Sequence, residues 1–374
     1  MISLPSIKLP EKLTSFSMPS FGSSFNKTRK AVIGLDIGSS RIKVAELKSV
    51  KGQFELLNIA QIDLMPDSIV DGQIIDGNHV SDCIQNVFTE QGILGLNVAT
   101  SLSGNAVIVK KIQLPVMGPE ELREQVNWEA QQHIPFDIQD VNLDYHVLES
   151  SPSSELMDVL LVACKKDMVR QLTQVISQAG KTTTIVDVDS FALQNAYEVN
   201  YEPRPDQTVV LLNIGASVMN INIVKGSASI FTRDVSMGGN QYTDTLQKKF
   251  NLTFEDAELL KRGTIPGSSS VTLDDAGEVM QNVSETLAGE IQRTLDFFHH
   301  QSPEGEQIVG MLVAGGGSKV PHLTSYLANR FQIYVEPFNP FRNIKISNEK
   351  FNQEYLSEFA PDMAVAVGLA LRSE

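Results

Sequence analysis

The chain has 374 residues, 42% of them hydrophobic, and a formal net charge of −15. That is enough apolar material for two domains with substantial cores, and the charge opposes long-range attraction to nucleic acid or to an anionic bilayer. The composition excludes fibrous and disordered classes, and the lack of an apolar leader or of a run of about 18 apolar residues predicts neither a signal peptide nor a membrane span, hence a cytosolic chain.

In chain order, residues 1–30 set Lys8, Lys12, Lys27, Arg29 and Lys30 against Glu11 among serines, prolines and glycines, the pattern of a mobile basic tail. Residues 31–64 read as three strands: a hairpin whose turn is Gly38-Ser39-Ser40, then Phe54–Ala60. A helix is predicted over Asn78–Gln91 from the recurrence of Val80, Ile84, Val87 and Phe88, and a strand over Val98–Leu102. Residues 105–180 then read as a separate α+β module: strand Val107–Leu114, helix Pro119–His133, strands Val141–Leu148 and Asp158–Cys164, helix Asp167–Ala179. Pro119 suits the first turn of its helix and Pro135 ends it. Cys83 and Cys164 fall in apolar segments and read as buried thiols, and the six histidines have no metal-ligand spacing.

After strand Ile185–Val188 and a short helix, the proline-rich stretch Tyr201–Asp206 predicts a hinge. The second half repeats the first hairpin as Leu211-Leu212-Asn213-Ile214-Gly215-Ala216-Ser217 and continues with helices over Gly239–Phe250, Thr253–Lys261 and Asp275–His300. On the last, Val279, Val283, Leu287, Ile291 and Leu295 make an apolar stripe, read as core. Strand Leu312–Ala314 runs through Gly315-Gly316-Gly317-Ser318 into a predicted helix Val320–Arg330, and an apolar helix Asp362–Arg372 closes the chain. Matching hairpins in the two halves predict an internal duplication.

The chemistry lies in the three glycine turns. Glycine lets a turn bring its backbone N–H groups close to phosphate oxygens. Two such hairpins half a chain apart, with a later strand–turn–helix junction, predict phosphates clamped between two domains and a base resting on the third turn. Asp36 is the candidate to orient a hydrated Mg²⁺, and the Ser39 and Ser40 hydroxyls with the neighbouring N–H groups are candidates for phosphate. Glu258 stands beside Lys261 and Arg262 on one helix; a carboxylate there suits ribose hydroxyls and a long cation stem suits the base, while intrahelical ion pairing is the plainer reading.

This order of motifs resembles the actin, Hsp70 and hexokinase ATPase superfamily, and the inserted module resembles that of FtsA and its relatives. More closely, the chain resembles the PilM family of type IV pilus assembly. The resemblance covers about residues 30–372 and is carried by Gly34–Lys43, Trp128-Glu129-Ala130 leading to Ile134-Pro135-Phe136, Leu143-Asp144-Tyr145, Phe231–Gln241, Ala314–Gly317 and Val367–Arg372. It implies an α/β, duplicated ribonuclease H-like (actin-like) ATPase fold with an inserted small α+β subdomain. The first domain is then 31–104 with 182–202 and the C-terminal helix 361–374, the insert 105–181, and the second domain 203–360. It also implies ATP or ADP with Mg²⁺ held by Asp36, Gly38, Ser39, Ser40, Lys43, Asn213, Gly215, Ser217, Glu258, Lys261, Arg262, Gly315, Gly316, Gly317 and Ser318. The implied partner is the N-terminal cytoplasmic peptide of a PilN-like membrane protein, gripped beside the insert at Glu129, His133, Ile134, Pro135 and Phe136. Other pilus platform and motor proteins follow as partners, with the membrane reached only indirectly and self-association left open.

The sequence departs from the superfamily at the second hairpin, where Asn213 stands in place of an aspartate and Met219 in place of a threonine. Asparagine supplies no charge to a metal or an attacking water, so hydrolysis is expected to be weak or absent. A filament-forming division protein like FtsA is the alternative; that family commonly ends in a basic amphipathic helix, and this sequence ends Leu371-Arg372-Ser373-Glu374. A small-molecule kinase on the same superfold would need an acceptor pocket and a base that no motif supplies.

Overall fold

The computed structural model describes residues 32–148, 155–267, 271–301 and 306–373; the expected basic tail lies outside them. The chain opens with the antiparallel meander β1 (Ile33–Ile37), β2 (Arg41–Val50) and β3 (Gln53–Asp63), then a small hairpin β4 (Ile69–Val70) and β5 (Gln73–Ile74), helix α1 (Gly77–Glu90) and β6 (Asn97–Leu102). The inserted segment carries β7 (Val107–Pro115), α2 (Pro119–His133), β8 (Val141–Val147), β9 (Leu156–Lys165) and α3 (Lys166–Gln178), after which β10 (Thr182–Val188) and α4 (Asp189–Tyr201) return to the first half. The second half begins with the meander β11 (Thr208–Ile214), β12 (Met219–Lys225) and β13 (Ala228–Val235), followed by α5 (Asn240–Phe250), α6 (Phe254–Lys261) and α7 (Leu273–Gln301). It ends with β14 (Ile308–Ala314), α8 (Leu323–Phe331), β15 (Tyr334–Pro337), β16 (Ile344–Lys345), α9 (Gln353–Phe359) and α10 (Ala364–Ala370).

The duplication is visible in the sheets. One sheet runs β10-β6-β1-β2-β3-β16 and the other β13-β12-β11-β14-β15. Without β16 they have one order and one sense: an antiparallel meander whose first strand continues into two parallel neighbours. The insert leaves between β6 and β10, in register to form its own antiparallel sheet β7-β9-β8.

Strand alternation in β9 divides two cores. Val159, Leu161 and Ala163 face α2 and the module's interior, whereas Leu160, Val162 and Cys164 face the first core. The sequence groups α3 with the module, but its apolar face, Met168, Val169, Leu172, Val175 and Ile176, packs in that first core with Val80, Ile84 and Val87 of α1. The α7 stripe faces the second core as its period predicts.

Two glycines let the last helix reach the first half. A Cβ on Gly34 would stand 1.9 Å from the Ala366 carbonyl, and one on Gly368 would stand 1.7 Å from that of Ala192. α10 therefore lies backbone to backbone against both β1 and α4. Two predicted helix bounds are corrected. After β14 the chain makes a 3-10 turn (Gly316–Lys319), and α8 begins only at Leu323 because Pro321 and a left-handed His322 interrupt the path. The final segment likewise enters through a 3-10 turn, Ala360–Met363, before α10. Among the described residues no helix is long and apolar enough to cross a membrane.

Candidate functional site

The two hairpin turns are closed in the same way: Gly38 N–H donates to the Arg41 carbonyl at 3.0 Å, and Gly215 N–H to that of Val218 at 2.9 Å. At Gly215 a Cβ would meet the Val218 carbonyl at 2.8 Å, so glycine is required by the turn itself. At Gly38 the nearest atom would be 3.2 Å away and φ is not positive, so the turn tolerates a Cβ better than the sequence implied. What glycine gives there is an open backbone facing the cleft. The start of α5 braces the second hairpin, with Gly239 and Asn240 N–H donating to the Gly215 and Ala216 carbonyls at 2.8 Å each. Gly238 makes that approach possible, since its Cβ would fall 2.5 Å from the Gly215 oxygen.

The third turn rests on the last helix and on the second hairpin. Gly315, at φ +82°, donates its N–H to the Pro361 carbonyl at 2.8 Å, and a Cβ on Gly317 would stand 2.3 Å from Ile214. The three turns line one cleft of about 1170 Å³ between the two sheets, and every one of the fifteen residues assigned to the nucleotide from Asp36 to Ser318 borders it. Ser39 Oγ meets Ser217 Oγ across it at 2.7 Å.

Charged side chains border the cleft from both halves. Lys43 Nζ pairs with Asp36 Oδ2 at 2.8 Å. Burial opposes the lysine's charge, but Asp36, Asp362 and Asp189 hold its pKa above the ordinary value. Asp189, the first residue of α4, was not singled out by the sequence; burial, reinforced by nearby Asp36, pushes its carboxyl up to about 6 against hydrogen bonds from Ser101 and Ser103. A carboxylate that titrates near neutrality and borders a cleft is a functional candidate, and its only local signal is a polar residue at the end of an apolar strand. Asp362 is also new: its Oδ2 accepts from Lys319 at 2.8 Å and lies 3.7 Å from Arg41, joining a turn of the second half to a strand of the first.

In the second half Asn213 Nδ2 donates to Asn220 Oδ1 at 2.8 Å, and Asn220 Nδ2 to Asp234 Oδ1 at 2.9 Å. Glu258 is occupied within the protein, accepting from Thr243 at 2.5 Å, from Lys261 and from Arg262. Desolvation works against its charge, yet these cations hold its pKa below the usual range. The plainer reading of this helix, intrahelical pairing, is what the side chains make, and they do so at the border of the cleft. The donor set fits a magnesium nucleotide. Asp36 and the Asn213 amide offer the oxygen atoms that a hydrated Mg²⁺ takes, and the glycine floors leave backbone approach for phosphate.

The residues named for a peptide groove separate in the structure. Ile134 is buried in the module's core, Phe136 packs against it beneath the Lys165 ammonium, 4.2 Å from the ring, and Pro135 is exposed. Glu129 is bonded to His133 at 3.4 Å and to Gln125 at 3.2 Å on the flank of α2.

Two sheets of one order, facing each other over a cleft of matched glycine turns, are the architecture of the actin-like ATPases. The family model described as "Type IV pilus assembly protein PilM" matches residues 34–374, and the chain belongs to that family. A solved PilM-PilN type IV pilus biogenesis complex contains a chain 30% identical to this one, with a TM-score of 0.81, covering 92% of this chain and 98% of that one. The cell division protein FtsA of Buchnera aphidicola is 22% identical over 377 residues, 88% of each protein. More distant structures share the fold: the ethanolamine utilization protein EutJ of Carboxydothermus hydrogenoformans (13% identity, TM-score 0.52, 91% of this chain and 89% of that one) and the ADP-bound MreB5 of Spiroplasma citri (14%, 0.50, 91% and 95%).

Proposed function

We propose that this protein is a nucleotide-binding scaffold of the type IV pilus inner-membrane platform, held at the cytoplasmic face by the N-terminal peptide of a PilN-like membrane protein. The observation that carries the reading is the 30% likeness to a chain of a PilM-PilN complex over nearly its whole length. ATP or ADP with Mg²⁺ fills the cleft and braces the two halves. Turnover is slow, because Asn213 brings no charge to the metal or to an attacking water.

A place for the peptide is supported by the apolar lining of the cleft. Besides the phosphate turns the cleft is lined by Leu64, Ile69 and Ile74 of the first half and by Met168 and Leu172 of α3. An extended peptide with alternate apolar side chains suits this lining. The end of α2 suits it less, since none of Glu129, His133, Ile134, Pro135 and Phe136 borders this cleft.

Two measurements test the reading. Titration with ADP and ATP should show tight, Mg²⁺-dependent binding with little phosphate release; turnover at tens per second, as in a working kinase, would overturn the scaffold. A pull-down with the synthetic PilN-type peptide should succeed with the wild type, fail with Ile74→Glu, and be weakened less by Glu129→Lys or Phe136→Asp. A wild type that does not bind the peptide removes the pilus reading. Loss confined to the α2 variants returns the groove to Ile134–Phe136.

A further inference from the structure

The row Asn213, Asn220, Asp234 crosses the second sheet on neighbouring strands, each residue directly opposite the next. Its outer end is fixed by the main chain: Gly104 N–H, at the root of the insert, donates to Asp234 Oδ2 at 2.5 Å. Its inner end borders the cleft, where Asn213 Oδ1 lies 2.6 Å from the place of a Cβ on Gly315.

We propose that Asp234 is a positioning residue for the bound metal nucleotide: it fixes which face of the Asn213 amide is turned to the cleft. Both Asp234 oxygens accept, one from Gly104 and one from Asn220, and these bonds oppose the upward push of burial on its pKa; an ionised carboxylate only accepts hydrogen bonds. Asn220 must therefore turn its NH₂ to Asp234 and its carbonyl to Asn213. Asn213 in turn gives its NH₂ to Asn220 and leaves its carbonyl oxygen to the cleft. An oxygen accepts from water bound to Mg²⁺, as the absent aspartate would, whereas an NH₂ would repel it. The row lets an asparagine serve as an oxygen donor of fixed orientation. This inference rests on the nucleotide reading of the cleft.

Asp234→Asn tests it, because the variant's orientation is also determined. The Gly104 N–H can only donate, so the new amide gives its oxygen to Gly104 and its NH₂ to Asn220. Asn220 then reverses, and Asn213 presents its NH₂ to the cleft with every hydrogen bond in the row still made. We expect Mg²⁺·ADP affinity to fall by about tenfold or more, with metal-free ADP affinity within about twofold of wild type. Adding Asn213→Asp to Asp234→Asn should restore the metal-dependent part, since a carboxylate shows oxygen whichever way it turns. Asn220→Leu, which cuts the row but leaves Asp234 on Gly104, should give the same selective loss and stands in if Asp234→Asn does not fold.

Unchanged Mg²⁺ dependence in these variants, or a loss shared equally with metal-free ADP and not restored by the second substitution, overturns the proposal while the nucleotide reading stands. A wild type that binds ADP equally with and without Mg²⁺ does the same. A wild type that binds no nucleotide overturns both.

Discussion

Ser39 Oγ lies 2.7 Å from Ser217 Oγ, one hydroxyl from the tip of each glycine hairpin and 178 positions apart in sequence. The duplicated device thus closes on itself at the point where phosphate is expected, and the contact ties the two halves together directly.

Either Ser39→Ala or Ser217→Ala should lower the stability of the nucleotide-free protein by about 0.5–1.5 kcal/mol, the net value of one such bond. The double variant should cost little more than either single one, because each already breaks the same contact. Denaturant unfolding of the four proteins measures this, and additive costs would show that the hydroxyls do not interact.

The third turn offers a paired comparison. Gly317→Ala forces a Cβ into Ile214, next to Asn213, and should destabilise the protein by about 1–3 kcal/mol while weakening nucleotide binding. Gly316→Ala meets only Asp362 Oδ1, at 3.7 Å, and should leave stability nearly unchanged. Equal thermal shifts for the two would mean that the turn does not press on the second hairpin.

Arg372 Nε donates to Asp187 Oδ2 at 2.6 Å, joining the end of the last helix to β10, and the Asp187 side chain has no exposed surface. Arg372→Leu leaves that carboxylate uncompensated and should cost about 3 kcal/mol. Adding Asp187→Asn should recover most of the loss. Recovery by less than a third would assign the cost to lost packing of the arginine stem.

Asp189 makes stability depend on pH. Its folded pKa, raised from 3.8 to about 6, means that the fold favours the protonated form. The stabilisation is complete below about pH 3.8 and is lost as pH rises through 6. Asp189→Asn, neutral at every pH, should therefore match wild type near pH 4 and exceed it by about 1–2 kcal/mol at pH 8, a figure discounted for solvent in the cleft. Melting both proteins without nucleotide across this range checks it; a constant difference would show that Asp189 does not titrate there.

The sequence alone determined most of the elements and their order, though not the short β4, β5, β15, β16 and α9. Glycine turns, capping prolines and apolar periods are local, and hydrophobic alternation registers within a few residues, so the two hairpins, α2 and the α7 stripe were legible without a structure. The duplication was legible for the same reason, as one local pattern occurring twice. Tertiary structure alone decided which side chains meet. Asp362 with Lys319 and Arg41, Ser39 with Ser217, and Asp234 with Gly104 are partners far apart in the chain, and nothing in a residue's neighbours records what lies across a cleft. It also decided which core each face serves. The unbroken apolar run Val159–Cys164 makes both faces of β9 apolar, but that one belongs to the module and the other to the first core depends on where α3 packs. Ile134, at helical spacing and followed by proline and phenylalanine, reads equally as a groove wall or as core, because burial in either removes the same apolar surface from water. Only the fold, which encloses it with Val126 and Ala130, shows which.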